Sequence, residues 1–453
     1  MLIVVDTLRA DRLGCYGYQR ATSPRIDEMA QKGTLYEDVL AQGSWTVPSM
    51  ISLMTGLYVT DTEEALPVYA PTLAEMAQAK GIKTAAFVAN GVLAGQRGFE
   101  RGFDHFQVEK KARAHRIVGA FQSWYLDQVK ADGERATGFF AWLHPSDPHA
   151  PYQPIQKFQD SVGEPPAGRS DAWVDPTSIE LAGDPLAADD PRVETFMKEI
   201  RLRNDLYDGE VRAVDDAVGE LLIFLENRGE LEHTLLVFAS DHGEELGEHV
   251  RYPEEVESYR HNFLKDGDQV EWIDHVAREH GELTRTVTHT PLILIGPGIP
   301  AGVRRQGLGA NVDIVPTVLE ALGLESELVL AGQSLMGGVD PTREQVFCFG
   351  HQTSAVVDRR GMKLIDRREK VDRVLGLSFM LGFEGDMRPL ELFDLNQDEG
   401  ERRNLAGKRP QAENFLEAQL DRWRTSNRRQ RRTEVSEEDL RHLEEMGYLG
   451  VDH

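Results

Sequence analysis

The sequence predicts an α/β fold in which a mainly parallel sheet is flanked by helices. Short apolar runs alternate with amphipathic helical segments over most of the 453 residues, a pattern typical of parallel sheets with helical crossovers. The helical segments end at glycine, most clearly in YDGEVRAVDDAVGELLIFLENRG. The expected strands cover residues 2–5, 84–88, 138–143, 234–239 and 291–295. These observations favour an α/β sandwich over an all-β fold or a helical bundle.

The pattern changes near residue 344. The runs QVFCFG, SAVVD, MKLID and LELFDL predict short strands, and PQAENFLEAQLDRWRTS predicts a terminal helix. We therefore expect a catalytic α/β domain over residues 1–343 and a small antiparallel subdomain with terminal helices over residues 344–453. The charged stretch at 251–278 follows a candidate site and is predicted to be an insertion or lid.

The net charge and the cysteine content argue against some classes of partner and of metal site. The formal net charge of −26 argues against nucleic acid as a partner, because phosphate backbones require basic surfaces. The two cysteines, Cys15 and Cys348, lie far apart in the sequence, so a disulfide framework or a cysteine-rich zinc site is not expected. A metal would have to be held by oxygen and nitrogen.

No apolar run approaches the length of a membrane span, and the N-terminus lacks a signal-peptide pattern. The chain as given is therefore expected in the cytoplasm, while a periplasmic or secreted location stays open if the N-terminus is truncated. A homo-oligomer also stays open.

Several polar residues lie directly after predicted strands. In sheets of this type, ligands collect outside the carboxyl ends of the strands, where Asp6, Asp241 and His149 are expected. Alone, Asp6 would be interpreted as a helix cap or turn residue. Adjacent Asp241 and His242 can reach one metal because Gly243 permits a tight turn, although a turn with a surface histidine has the same pattern.

The stretch LHPSDPHAPYQP places His144, Asp147 and His149 in a loop stiffened by four prolines. The two histidines are either polar loop residues or groups that bind a ligand or transfer protons. Their position at the same sheet edge favours the second interpretation.

The stretch SWTVPSMISLMTG places Thr46 at the start of a predicted helix. A threonine hydroxyl is a poor nucleophile unless a base or metal lowers its pKa, and alone it would be interpreted as a helix cap. Beside a metal held by the two aspartates and His242, it becomes a candidate nucleophile at a helix N-terminus, where anions are favoured.

Five motifs stand in the order seen in the sulfatase-like branch of the alkaline phosphatase superfamily: VVDTLRADRLGCYGY, SWTVPSMISLMTG, LHPSDPHAPY, SDHGEELGEH and DIVPTVLEALG. The resemblance runs from residue 2 to about residue 405. It implies an alkaline phosphatase-like sandwich. It also implies a metal-dependent hydrolase or transferase that acts on sulfate, phosphate or phosphonate esters through a covalent intermediate.

The resemblance also assigns roles to residues. It implies that Thr46 is the nucleophile and touches the metal, and that His149 binds substrate oxyanions or protonates the leaving group. His144 and Asn90 resemble residues of the substrate pocket. The implied metal ligands are Asp6, Thr46, Asp241 and His242.

Two histidines compete for a further position in the site, because the insertion makes the match between this stretch and the family's motif ambiguous. His280, in REHGELTRTVTHTPLIL, resembles the His-Gly that precedes the next core strand, and His249 competes for the same role. We favour His280 as a catalytic residue and keep His249 as a substrate-binding alternative. His289 is expected to lie behind the site or to cap a strand.

Three departures separate this sequence from sulfatases that use formylglycine. That aldehyde is made from the first residue of a Cys/Ser-x-Pro-x-Arg frame, whose first and last members are here Thr46 and Met50. Thr7 stands where sulfatases usually have a second metal-binding aspartate. The threonine resembles the nucleophile of phosphodiesterases, lipoteichoic acid synthases and phosphoethanolamine transferases of the superfamily.

We therefore predict a hydrolase for small anionic esters, with a phosphodiester or phosphonate monoester as substrate and a phospho-threonine intermediate. A sulfate ester hydrolase that uses Thr46 is the first alternative, and an inactive anion-binding or assembly protein is the second. The metal is zinc, manganese or calcium at one favoured site. A second site would draw on Asp147, His149, His280 and His289.

Overall fold

A computed structural model describes residues 1–58, 65–95, 97–132, 138–163, 180–181, 184–185, 191–248, 283–350, 353–368 and 389–434. The predicted insertion at 251–278, together with His249 and His280, lies outside these residues. Among the helices in the described ranges, none is both long and apolar enough to cross a membrane.

The main sheet has eight strands: β1 (Leu2–Val5), β2 (Thr34–Leu40), β3 (Lys83–Val88), β4 (His105–Val108), β5 (Phe139–His144), β8 (Leu236–Ser240), β9 (His289–Ile295) and β10 (Val303–Ala310). Their order across the sheet is β10-β2-β9-β8-β1-β5-β3-β4. Strand β9 runs antiparallel to both its neighbours, and the other pairs are parallel. A short hairpin, β6 (Glu180–Leu181) and β7 (Asp184–Pro185), forms a separate two-stranded sheet.

Helices cover both faces of the main sheet. They are α1 (Pro24–Gln31), α2 (Thr46–Thr55), α3 (Leu73–Gln78), α4 (Ala114–Asp132), α5 (Gln156–Ser161), α6 (Pro191–Glu226), α7 (Arg285–Thr288) and α8 (Ile314–Leu322). Alternate residues of β1 enter opposite cores, as the period of a strand requires. Ile3 and Val5 pack with α1, α4 and α6, while Leu2 and Val4 pack with α2, α3 and α8.

The C-terminal part contains an antiparallel four-stranded sheet, β11 (Gln345–Gly350), β12 (Thr353–Asp358), β13 (Met362–Asp366) and β14 (Leu390–Asp394). One face packs on Leu40 and Leu308 of the main sheet. The other packs on Leu416 and Leu420 of helix α9 (Pro410–Glu434). The observed sheets confirm the predicted fold class, whereas the domain boundary at residue 343 stays a prediction.

Candidate active site

Four neighbouring strands supply the polar side chains of the site. Strands β3, β5, β1 and β8 lie side by side and run parallel, so their carboxyl ends meet at one edge of the sheet. Asn90 follows β3, His144 ends β5, Asp6 follows β1 and Asp241 follows β8. Residues far apart in the chain thus converge through the strand order alone.

Asp6, Asp241 and His242 form a buried cluster whose ligand atoms all lie within 4.8 Å of one another. His242 Nε2 is 3.9 Å from Asp6 Oδ1 and 3.5 Å from Asp241 Oδ2. The Nδ1–H of His242 donates to the Gly243 carbonyl at 2.8 Å, which turns Nε2 toward the two carboxylates. Fixing one ring nitrogen in this way is the usual arrangement of a metal-binding histidine.

The hydrogen bonds that hold the Asp241 carboxylate all reach one of its two oxygens, among the residues that the structure describes. Its Oδ1 accepts the backbone N–H of Thr7 at 3.1 Å and that of His242 at 2.8 Å. Its Oδ2 is buried and has no hydrogen-bond partner among the described residues. An anionic oxygen in this state is costly unless a cation balances it.

The pKa shifts of Asp6 and Asp241 also indicate a site for a cation. Burial, and then the charge of Asp241, raise the pKa of Asp6. Burial also opposes ionisation of Asp241, but the imidazoles of His242 and His144 outweigh it and lower its pKa to about 2. Two carboxylates this close both ionise readily only beside a positive charge. The residues present therefore fit a divalent cation with oxygen and nitrogen ligands.

Thr46 is the first residue of α2 and lies beside this cluster. Its Oγ1 is 3.5 Å from Asp6 Oδ1 and 3.4 Å from His242 Nε2. Pro48 is tolerated in the first turn because the N–H groups there have no partner within the helix. The helix ends at Thr55 and is capped by Gly56, which has a left-handed conformation at φ 71°. The hydroxyl is therefore presented at a helix N-terminus within reach of the candidate ligands.

Asn90 contacts both the nucleophile candidate and the ligand cluster. Its Nδ2 donates to Asp6 Oδ2 at 2.7 Å and lies 3.4 Å from Thr46 Oγ1. Its Oδ1 accepts the N–H of Val92 at 3.0 Å, which fixes the amide orientation. The side chain thus positions Asp6 as well as lining the site.

Two histidines from the β5 end complete the described part of the site. His144 is fully buried, and its Nε2 is 3.8 Å from Asp241 Oδ2, too long for a hydrogen bond. The Nδ1–H of half-buried His149 donates to the Ala150 carbonyl at 2.6 Å. Burial opposes protonation of both rings, but nearby acidic groups outweigh it and raise both pKa values, chiefly Asp241 and Asp6 for His144, and Asp6 and Glu244 for His149. Both rings can therefore carry positive charge near the cluster.

The structure gives Asp147 and His289 other contacts. Asp147 Oδ2 accepts the N–H of Ala114 at 2.6 Å, at the start of α4, so this carboxylate caps a helix. His289 begins β9, and its Nε2–H donates to the Glu37 carbonyl at 2.8 Å. Neither residue belongs to the ligand cluster found among the described residues.

Burial, followed by the charge of Arg285, lowers the pKa of His289 to about 4. Between pH 6.5 and 4, the unfolded chain therefore binds a proton that the folded chain excludes, so stability falls as pH falls through this range. The shift corresponds to about 3 kcal/mol. We expect His289→Gln to lose much of this acid sensitivity, measured as the difference in urea midpoint between pH 7 and pH 4.5. His233→Gln, at an exposed turn, is the control, and equal sensitivity in wild type and H289Q would contradict the prediction.

Sequence reasoning assigned no role to Ser49 or Asn311. The Ser49 hydroxyl donates to the Asp241 carbonyl, and Asn311 Nδ2 donates to the Ser240 carbonyl at 2.8 Å. Both side chains are fully buried and hold the end of β8 in place. A small polar residue inside the apolar run VPSMISLM was the one available signal for Ser49.

Comparison with known proteins decides the family. The profile of the family named Sulfatase matches residues 1–324, which is well over half of the chain. The chain belongs to the sulfatase family. This family is part of the alkaline phosphatase superfamily, whose members depend on a metal.

Two curated members of this superfamily match over part of their length. Arylsulfatase K of Bos taurus is 25% identical over 225 residues, which cover 49% of this chain and 37% of that protein. The multifunctional alkaline phosphatase superfamily protein PehA of Trinickia caryophylli is 30% identical over 140 residues, which cover 30% of this chain and 22% of that protein. The chain thus spans less than half the length of these relatives.

Solved structures of the superfamily share the fold. BT4656, solved in complex with D-glucosamine-2-N,6-O-disulfate, superposes with a TM-score of 0.68 at 18% identity, covering 94% of this chain and 98% of that one. The phosphonate monoester hydrolase SpPMH from Silicibacter pomeroyi superposes with a TM-score of 0.66 at 20% identity, covering 94% and 95%. A protein whose substrate is a sulfated glucosamine and a phosphonate monoester hydrolase therefore share this architecture.

Proposed function

We propose that this family member hydrolyses phosphodiesters or phosphonate monoesters, with Thr46 as the nucleophile. The observation that carries the proposal is the position of Thr46 Oγ1, 3.4 to 3.5 Å from His242 and Asp6. The Thr46 hydroxyl occupies the position at which formylglycine enzymes have the cysteine or serine that is converted to the aldehyde. The phosphonate monoester hydrolase SpPMH and the relative PehA support phosphorus chemistry on this fold.

The proposed ligands of one divalent cation are Asp6, Thr46, Asp241 and His242, with zinc and manganese favoured over calcium because an imidazole is included. When bound, such a cation lowers the pKa of a hydroxyl and neutralises charge on substrate oxygens. Asp241 Oδ2, which has no hydrogen-bond partner among the described residues, is the oxygen that would face it.

The chain's own residues then divide the reaction into two displacements. The Thr46 hydroxyl loses its proton to water, and Oγ1 forms a bond to phosphorus while the bond to the leaving oxygen breaks. His149 gives a proton to that oxygen through Nε2, because its Nδ1–H is bonded to the Ala150 carbonyl. Water next attacks the phospho-threonine, His149 takes a proton from this water, and the bond between phosphorus and Oγ1 breaks as Oγ1 regains a proton from solvent water. Asn90 and His144 are proposed to hold the non-bridging oxygens.

Sulfate ester hydrolysis by Thr46 is the second candidate, favoured by the resemblance to arylsulfatase K and to BT4656. A panel of four p-nitrophenyl esters separates the two: a phosphodiester, a phenylphosphonate, a phosphate monoester and a sulfate. The enzyme is stripped with a chelator and supplied in turn with Mn²⁺, Zn²⁺ and Ca²⁺. We expect kcat/KM on the first two esters to exceed that on the sulfate by at least about tenfold. A sulfate ester turned over fastest would overturn the preference for phosphorus.

The same assay, run on esters with different leaving groups, tests whether His149 is the general acid. A general acid matters most when the departing oxygen is basic, and its loss typically costs about 10² to 10⁴-fold. We expect His149→Asn to lower kcat/KM by about 10²-fold for phenyl esters and far less for p-nitrophenyl esters. His105→Asn, a half-buried histidine on edge strand β4, is the control. An equal loss for both leaving groups would assign His149 to binding alone.

A further inference from the structure

A strained turn lies directly behind the ligand cluster. Thr7, the residue after Asp6, is fully buried and has a left-handed backbone at φ 54°. This conformation is rare for a β-branched residue and persists only where the surroundings enforce it. In this conformation the N–H of Thr7 points toward Asp241 and donates to its Oδ1 at 3.1 Å.

The hydroxyl of Tyr207, on helix α6, enforces this turn. It donates to the Thr7 carbonyl at 2.7 Å and accepts the backbone N–H of Arg9 at 3.0 Å. Tyr207 is fully buried, so both bonds are shielded from water and difficult to replace. Between them, the N–H of Leu8 donates to Ser240 Oγ at 3.0 Å. The turn is therefore fixed from two sides, by α6 and by the end of β8.

The consequence for the site is the orientation of one carboxylate. The N–H groups of Thr7 and His242 both bind Asp241 Oδ1, which leaves Oδ2 toward His242 and His144. With one oxygen occupied by two donors, the carboxylate can offer a cation a single oxygen. The groups that orient a ligand in this way commonly change metal affinity by about 10 to 100-fold when they are removed.

We propose that Tyr207 is a positioning residue of the metal site: its hydroxyl holds Thr7 in the left-handed turn that aims Asp241 Oδ2 at the cation. This inference rests on the proposed ligand role of Asp241. Tyr207 acts through two intervening residues and does not touch the reacting atoms. Its ring has separate contacts, with the Arg12 guanidinium 5.7 Å from the ring centre and Tyr152 edge-on at 5.8 Å. Replacement by phenylalanine keeps the ring and removes only the hydroxyl.

The chain offers a matched control in Tyr125. This tyrosine is also buried, and its hydroxyl donates to Glu230 Oε1 at 2.8 Å. Its ring packs against Phe139, at the opposite end of β5 from His144. Tyr125→Phe therefore removes a comparable buried hydroxyl at a distance from the site.

The dissociation constants of Mn²⁺ and Zn²⁺ are measured on the full chain by competition with a fluorescent chelator. We expect Tyr207→Phe to weaken binding by about 10 to 100-fold and Tyr125→Phe to leave it unchanged, with similar small falls in Tm. Adding Thr7→Gly to Tyr207→Phe should recover most of the lost affinity, because glycine adopts a positive φ without help.

Unchanged affinity in Y207F, with tight binding in the wild type, would overturn this inference and leave the proposed function intact. Failure of T7G to restore affinity to folded Y207F would also overturn it. If the wild type binds neither ion tightly, or if Asp241→Asn binds as tightly as the wild type, the ligand assignment is wrong and both proposals fail.

If Y207F does not fold, the single variant T7G tests the role of the turn. We expect T7G to bind the metal at least as tightly as the wild type, and a large loss of affinity would contradict the inference.

Discussion

Replacing Thr46 with alanine is expected to lower kcat/KM on the preferred ester by at least about 10³-fold, because the nucleophile itself is removed. Thr46→Ser keeps a hydroxyl at the same backbone position and should retain measurable turnover. Acid quenching during turnover should trap one phosphoryl or phosphonyl group on the wild-type chain, and peptide mapping should locate it at Thr46. The trapped group should be absent from T46A.

Thr55→Ala is the matched control for this experiment. Thr55 lies at the other end of the same helix, is equally buried, and donates to the Ile51 carbonyl at 2.7 Å. Its loss removes a buried threonine hydroxyl without contact to the ligand cluster. Full activity in T46A, or a trapped group at another residue, would end the nucleophile assignment.

Replacing Asp241 with asparagine is expected to weaken metal binding by at least about 100-fold and to abolish turnover, because a neutral amide removes one of two buried negative charges. The amide oxygen can still accept the N–H groups of Thr7 and His242, so the local fold should persist. Elemental analysis after dialysis gives the metal content, and circular dichroism checks the fold.

Asp215→Asn is the control for the loss of a buried carboxylate. Asp215 lies on α6, and its Oδ1 accepts the N–H groups of Arg25 and Ile26 at 2.8 Å each, at the start of α1. That variant should keep its metal. Normal metal occupancy in D241N would contradict the ligand set, whatever the effect on activity.

The sequence was sufficient to predict the fold class and the strands that present the site. Apolar runs bounded by polar residues predicted β1 with its observed limits, and β8 with an error of two residues at its start and one at its end. Parallel strands bring their carboxyl ends together, so Asp6, His144 and Asp241 could be expected at one edge from the sequence alone.

Other contacts could not be predicted from one sequence, for physical reasons. The role of Tyr207 depends on which face of a long helix packs behind β1, and a single buried tyrosine carries no sign of it. Asn90 was expected to line the pocket, but its bond to Asp6 depends on the order of the neighbouring strands. His249 and His280 are alternatives for one role on either side of the predicted insertion, and both lie outside the described residues.

The packing of Met50, at the last position of the formylglycine frame, limits the chemistry that this loop can support. Its side chain is fully buried in the core beneath α2, among Val4, Leu53 and Leu73. An arginine at this position would place a charge in an apolar interior, which is costly without a partner. The Cys/Ser-x-Pro-x-Arg frame described above has an arginine at this position. Formylglycine in this loop would thus require a rebuilt core around position 50 as well as a cysteine or serine at position 46.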